Sequence, residues 1–258
     1  MTYQTIPVDK SWGRSTRLPS LALILVAAAA LMLAAGPIGW RLGWWHFRFA
    51  FFSLMPWSGY LALAAVAVAA FALLFSRRAM GAGGIVLSLC VLVAGAALVY
   101  VPWQWDQLRK TLPSIHDITT DTENPPALVA VLAARKAEDG STEVYGGPEI
   151  AKQQKNAYPD VAPVTLAMPP AQAFERALAT AKTMEGWTIV ASDPQQGRIE
   201  ASQSSRFFGF TDDIVIRVAA DGAGSRIDMR SVSRQGRGDF GVNAERVRTY
   251  MAAVKGAG

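Results

Sequence analysis

The stretch Asp212–Arg234, "DDIVIRVAADGAGSRIDMRSVSR", holds two runs of alternating character around the turn residues Asp221–Gly224. That pattern predicts two antiparallel strands joined by a hairpin. Successive side chains on a strand point to opposite faces, so Ile214, Ile216, Val218, Ile227 and Met229 share one face. Asp213, Arg217, Arg226, Asp228 and Arg230 share the other. Upstream, "WTIVASD" (Trp187–Asp193) and "GRIEASQ" (Gly197–Gln203) predict two more strands around a turn at Asp193–Gly197. They add Ile199 and Ala201 to the apolar face and Arg198 and Glu200 to the charged one.

An apolar sheet face needs a cover, and the flanks supply two amphipathic helices. In "AQAFERALATAKTMEGW" (Ala171–Trp187), Phe174, Ala177, Leu178, Ala181 and Met184 recur at helical spacing, and Gly186 ends the run. From Asp239 to Val254, Phe240, Ala244, Val247, Met251 and Val254 form a second stripe, with Asp239 placed to cap it. The expected fold class is α+β: residues 169–258 form an α-β-β-β-β-α domain, a four-stranded antiparallel sheet with two helices on one face. The charged face reads as solvated and laced with cross-strand ion pairs. Its alternative is a surface that binds a ligand or is covered by the preceding segment.

That segment, residues 113–168, is punctuated by "ENPP", "YGGP", "AYPDVAP" and "AMPP". Such chain runs over a surface in extended or turn conformation, here with short helices near Ala127–Arg135 and Pro148–Asn156. Ile115, Ile118, Val161, Val164 and Leu166 give it something to bury. A wrapping arm is expected, forming one unit with the domain.

Composition separates this half from the first. The chain is 51% hydrophobic and 17% charged over 258 residues, too apolar for an ordinary soluble protein. Up to Leu112 there are nine Lys or Arg against two acids, a net of +7; from Pro113 the balance is 16 to 18, a net of −2. Residues 1–112 contain three apolar runs, at about 18–36, 57–75 and 84–101, none with an ionisable side chain in its core. Each approaches the roughly 20 residues that cross a bilayer. Seven of eight tryptophans (Trp12, Trp40, Trp44, Trp45, Trp57, Trp103 and Trp105) lie at or just before the ends of these runs, where indole prefers the headgroup layer. A three-helix membrane anchor is expected. Transport would call for ionisable residues inside the spans.

Lys10, Arg14, Arg17, Arg77 and Arg78 would share one side of the membrane, against Arg41 and Arg48 in the first loop. The positive-inside rule then puts the amino terminus in the cytoplasm and residues 113–258 in the periplasm of a bacterial inner membrane. Because the basic excess belongs to the anchor, nucleic acid is not an expected partner. The single cysteine, Cys90, falls inside an apolar run and offers no disulfide or cysteine-based metal site.

The ordered motifs "IHDITTDTENPP", "AYPDV", "GRIEA", "FGFTDDIVIRV" and "SRIDMRSVSRQGRGDFGVNAERVR" resemble the bacterial domain of unknown function 1499, often found behind membrane helices. The resemblance covers residues 113–255 and departs from the family at "MEGW", where "MGW" is usual. It implies the domain and no particular reaction.

Three features could carry function. "IHDITTD" offers His116 with Asp117 and Asp121, but matches no zinc or EF-hand spacing, and no nucleophile elbow accompanies it. Turn formation, with His116 tying the arm to the sheet, is the simpler account. "SRQGRGDFG" sets Arg234 and Arg237 among glycines before the last helix, a place that attracts anions, unless the arginines pair with Asp212 or Asp213. "SSRFFGFTDD" puts Phe207, Phe208 and Phe210 near a hairpin connection, to pack over the core or touch a bilayer or partner. The expected role is a non-catalytic binding or structural module of the cell envelope, with no cofactor or metal. Its partners would be the lipid bilayer and an envelope protein or anionic ligand, contacted through Arg234, Arg237, His116, Asp117, Asp121, Arg217 and Arg230. The alternative is an envelope enzyme or metal-dependent protein centred on His116 and its acids.

Overall fold

Strands β3 (Trp187–Asp193), β4 (Arg198–Ser204), β5 (Thr211–Asp221) and β6 (Gly224–Ser233) form an antiparallel meander, as the alternation requires. Registers such as Ile199↔Ile216 and Ile216↔Met229 stack the branched residues on one face. There they pack against α7 (Pro170–Thr183) and α8 (Val242–Gly256). Tyr250, absent from the sequence-derived stripe, is fully buried, stacks on Trp187 and donates its hydroxyl to Ala177 O at 2.9 Å. At the β3–β4 turn, Gly197 has φ +60°, and a Cβ there would lie 2.1 Å from Val218 O. Only glycine fits so close an approach. The computed structural model describes residues 17–137 and 143–256.

The sheet has six strands, not the four expected. In the order β1-β6-β5-β4-β3, the extra strands β1 (Asp117–Thr119) and β2 (Val164–Leu166) both pair antiparallel with the free edge of β6, one at each end. An open edge presents unpaired N–H and C=O groups, and the arm closes it. Three residues are too few to show a period of two, so the alternation rule has nothing to detect. Ile118 and Leu166 enter the same core as the helices.

The rest of the arm carries α5 (Leu132–Lys136) and α6 (Gly147–Ala157). From α6, the buried Gln154 accepts from Thr119 N at 3.0 Å and donates to Thr119 O at 2.7 Å. Its amide thus stands in for a further strand beyond β1. The second compact unit of the chain, Leu108–Gly258, contains arm and sheet together.

The first unit ends at Gln107. Three of its helical stretches are long and apolar enough to cross a membrane: Arg17–Arg41 (α1), Phe47–Phe75, and Ala82–Thr111 (α4), the last running on into the second unit. Phe47–Phe75 comprises α2 (Phe47–Phe49), a π-helical turn at Ala50–Leu54 and α3 (Met55–Phe75). Most of the expected first loop is therefore helical. Aromatic contacts brace this connection: Trp40 meets Phe47, Trp45 meets Phe49, and Trp45 Nε1 donates to Gly36 O at 3.2 Å. Lys10, Arg14 and Trp12, used above for orientation and boundaries, lie outside the described residues. Small residues let the helices approach. A Cβ on Gly95 would stand 2.6 Å from Val66 Cγ2, and Ala62, Ala65 and Ala69 are wholly buried.

Replacing Gln154 by Ala would leave the N–H and C=O of buried Thr119 without their partners. The expected loss is about 1–3 kcal/mol, read as a lower midpoint of thermal unfolding of the detergent-purified chain. Lys152→Ala, on an exposed position of the same helix, should leave it unchanged.

Candidate functional site

The charged face of the sheet is not open to solvent. Among the residues the alternation sends there, Glu200 and Asp213 are fully buried, Asp228 is 1% exposed and Arg230 3%. What covers them is the arm. Val215 and Val232, buried apolar residues on that face, pack against Leu128 and Val131 of the arm. Around this small cluster each buried charge meets a group of opposite character.

Glu200 accepts from the backbone N–H groups of Val129, Ala130 and Val131 at 2.9–3.2 Å and pairs with Arg198 at 3.1 Å. A carboxylate from β4 therefore caps the turn that starts α5, where helix-end amides lack partners of their own. One turn further, Arg135 is fully buried and bonds Asp213 at 2.9 Å. Asp213 also receives Arg234 through two bonds of 2.8 Å and Ser202 at 2.6 Å. Burial alone would push the Asp213 carboxyl up; the bonds from Arg234, Ser202 and Arg135 outweigh it and hold the group below the usual carboxylate range.

A second cluster sits at the "DITTDTEN" loop. Arg217 donates to Asp121 and Asp228, each at 2.9 Å, and to Asn124 O. Arg226 also grips Asp228, and Asp121 accepts from the amides of Glu123 and Asn124, closing the turn. Burial raises the Asp121 carboxyl, yet these backbone bonds and the two arginines bring it below its ordinary value. Arg230 binds Asp117 bidentately at 2.7 and 2.8 Å, reaches Glu143 O, and lies over the Tyr145 ring. The Tyr145 hydroxyl is buried with no hydrogen-bond partner among the described residues, and burial with the nearby Asp117 charge pushes its pKa up to about 12.

The seven residues singled out in the sequence thus go to different places. Asp117 pairs with Arg230 and Asp121 with Arg217, both against the arm; Arg234 is held by Asp213. His116, one residue before Asp117, bonds Ser233 O through Nδ1 at 3.2 Å, and its carbonyl accepts from Ser233 N and Asn243 Nδ2. It fastens the arm on the side of α8 rather than joining the acids. Arg237 alone of the seven is exposed, on the turn after β6. The start of α8 that this turn precedes is occupied by Asp239, which accepts from Gly241 N and Asn243 N. Burial raises the Asp239 carboxyl. Among the described residues no group of three or more His, Cys, Asp or Glu side chains could hold a metal ion.

Beside the "DITTDTEN" turn, a cleft of about 670 Å³ is lined by Thr122, Glu123, Pro125, Tyr145, Lys152 and Lys155, with others from the start of α6. Lys152 and Lys155 lie on exposed positions one turn apart, and Lys155 comes within 4.0 Å of Glu123. The sequence gives little local sign of the roles of Glu200 and Arg135, because their partners lie about 70 to 80 residues away, and none of the cleft, whose lining comes from a turn and a helix some 30 residues apart. The one local hint was an arginine in a predicted arm helix facing a strand with acids on its outer face.

The family model for a protein of unknown function, DUF1499, matches residues 117–254, more than half of the chain. The chain belongs to the DUF1499 family. The match begins at β1 and ends within α8, so the family's unit includes the arm as well as the helices and meander. No curated protein and no solved structure matches the chain.

Two consequences of the arm contacts can be measured. Arg135→Ala removes one of the two cations that hold buried Asp213, leaving Arg234 and Ser202, and is expected to cost about 1.5–3 kcal/mol; amide hydrogen exchange at Val129–Val131 should then accelerate before exchange of β5 does. The pH dependence has a definite sign. Asp213 and Asp121 have lowered folded-state values, so the stability they confer is present above the unfolded carboxylate value of about 3.9 and drains away as pH falls through the folded values. Asp239, whose folded value is raised, works in the opposite sense above that range, so the unfolding midpoint should not drop between pH 7 and about 5, should fall below about 4, and should fall less steeply in Asp121→Asn.

Proposed function

We propose that the chain is a membrane-anchored binding or structural module of the bacterial cell envelope, with its amino terminus cytoplasmic and residues 113–258 periplasmic. One observation carries the reading: the sheet's buried charges are spent internally on the arm, while Lys152 and Lys155 stand exposed at the cleft against the single carboxylate of Glu123. Lys152 and Lys155 border a concavity with an apolar floor of Pro125, Pro148 and Ala151, which suits a carboxylate or phosphate carried by an envelope partner. Arg237 is a further outward cation. The alternative centred on His116 is disfavoured by the arrangement of its own neighbours, since Asp117 and Asp121 turn to arginines on the arm side and the imidazole to Ser233 O.

Two measurements test this. Alkaline phosphatase fused after Gly258 should be active and a green fluorescent protein fusion at the same point dark; the opposite pair would overturn the compartment. A photo-crosslinking residue at Lys152 in intact cells should give an adduct of one discrete mass, reduced at least several-fold by Lys155→Glu. Equal smears from Lys152 and from the exposed Lys136 would remove the cleft as a binding site.

A further inference from the structure

The connection between β4 and β5 runs through residues 205–210 at one end of the two strands. Ser205 N donates to Phe210 O at 2.7 Å and Gly209 N to Ser205 O at 2.9 Å, so residues 205–210 form a tight, self-bonded tip. Phe208 and Phe210 stack on each other with ring centroids 5.0 Å apart. Phe207 is 76% exposed, the most exposed of the chain's large apolar residues outside those in or beside the membrane-length helices that is described. Arg206, next to it, is exposed as well.

Hydrogen bonds fix which end of the unit this tip occupies. Thr211 N donates to Gln235 Oε1, and Arg234 N to Thr211 O, tying the tip to the turn after β6. That turn is in its turn bonded to the first residues of the arm: Asp239 N to Ile115 O at 3.2 Å, and Ser114 Oγ to Arg237 O at 3.4 Å. Residues 205–210, the exposed Arg237 and the point where the chain arrives from α4 therefore share one end of the sheet. The β5–β6 hairpin, Asp221–Gly224, lies at the other end, some 35 Å away by the length of an eleven-residue strand.

Chain length brings the first of these ends to the membrane. Trp103 and Trp105 close the last apolar run, and α4 continues only to Thr111. Six residues of helix at about 1.5 Å each and three of extended chain at about 3.4 Å carry Ser114 no further than about 20 Å from Trp105. The charges at this end are complementary to an anionic surface. Arg206 and Arg237 are exposed here, and three acids at this end are engaged, Asp212 by Arg246, Asp213 by Arg234 and Asp239 by the amides at the start of α8.

We propose that this end of the folded unit is a lipid-contact surface: Phe207 enters the headgroup layer of the bilayer that anchors the chain, and Arg206 and Arg237 bind anionic phospholipid phosphates beside it. An exposed aromatic flanked by cations is the combination that partitions to an interface. The proposal rests on the reading of the three helices as membrane spans, and its test separates the two.

The full chain is reconstituted in nanodiscs containing spin-labelled lipids, with an environment-sensitive fluorophore on one cysteine at a time. Cys90, exposed within α4, is the label for the anchor; Phe207→Cys and Asp221→Cys, each in a Cys90→Ala background, label the two ends of the sheet. With phosphatidylglycerol discs, the label at 207 should be quenched by headgroup-level spin labels at least about threefold more than the label at 221. Replacing phosphatidylglycerol by phosphatidylcholine, or Arg237 by Gln, should weaken the contact, the latter about fivefold for one basic residue near an anionic surface. If Cys90 is quenched by chain-level spin labels and 207 is no more quenched than 221, the lipid contact is refuted and the anchor stands. If Cys90 itself escapes quenching, the membrane reading fails and the contact with it.

Discussion

Two carboxylates with no access to water, Glu200 and Asp213, set the terms for the rest of the folded unit. A buried carboxylate is tolerable only when hydrogen-bond donors or cations replace the water it loses. The sheet supplies Arg198, Ser202 and Arg234; the arm supplies the amides of Val129–Val131 and the guanidinium of Arg135. Without the arm these acids would return to solvent and Val215 and Val232 would be exposed. Without the sheet the arm has little to bury itself against. The two are one cooperative structure, which gives a physical reason for a family match that starts at β1 and not at α7.

This arrangement decides what the sequence can and cannot reveal. The meander was legible because Ile214, Ile216, Ile227 and Met229 repeat with period two over long strands, and α7 and α8 because Phe174, Ala177 and Val247 repeat with helical spacing. Nothing local distinguishes Glu200 in "GRIEA" from a solvated surface acid: its three donors lie about 70 residues earlier in the chain. The same holds for Asp213 and Arg135, 78 residues apart. Strands β1 and β2 escaped for a different reason, since three residues cannot display a period. For Arg234 the sequence allows two outcomes, an anion or a nearby acid, and the structure pairs it with Asp213.

The arm also shows how polar side chains can imitate backbone. Gln154 completes β1 as a strand would, Glu200 accepts the amides that a preceding helical turn would have bonded, and Asp239 does the same for α8. Each replaces a partner that the topology cannot provide, and each is buried or nearly so, where an unpaired amide is costly. A segment rich in proline has few amides to offer and few regular elements to satisfy them. Its fixed position depends on such substitutes together with the burial of Ile115, Ile118, Leu128, Val131, Tyr158 and Leu166.

The two units solve the same problem with different means. In the first, the polar side chains buried between the helices are serines bonded to their own backbone, Ser58 Oγ to Met55 O and Ser88 Oγ to Gly84 O. Close approach at Gly95 and the alanines then does the packing, as expected where lipid removes the hydrophobic incentive for helices to associate. In the second, water is the competitor, and charges can be buried because a partner of opposite sign waits in the same chain. Each such contact fixes the arm to the sheet at a defined point, Glu200 at the start of α5, Asp213 at Arg135 and Arg217 at Asp121.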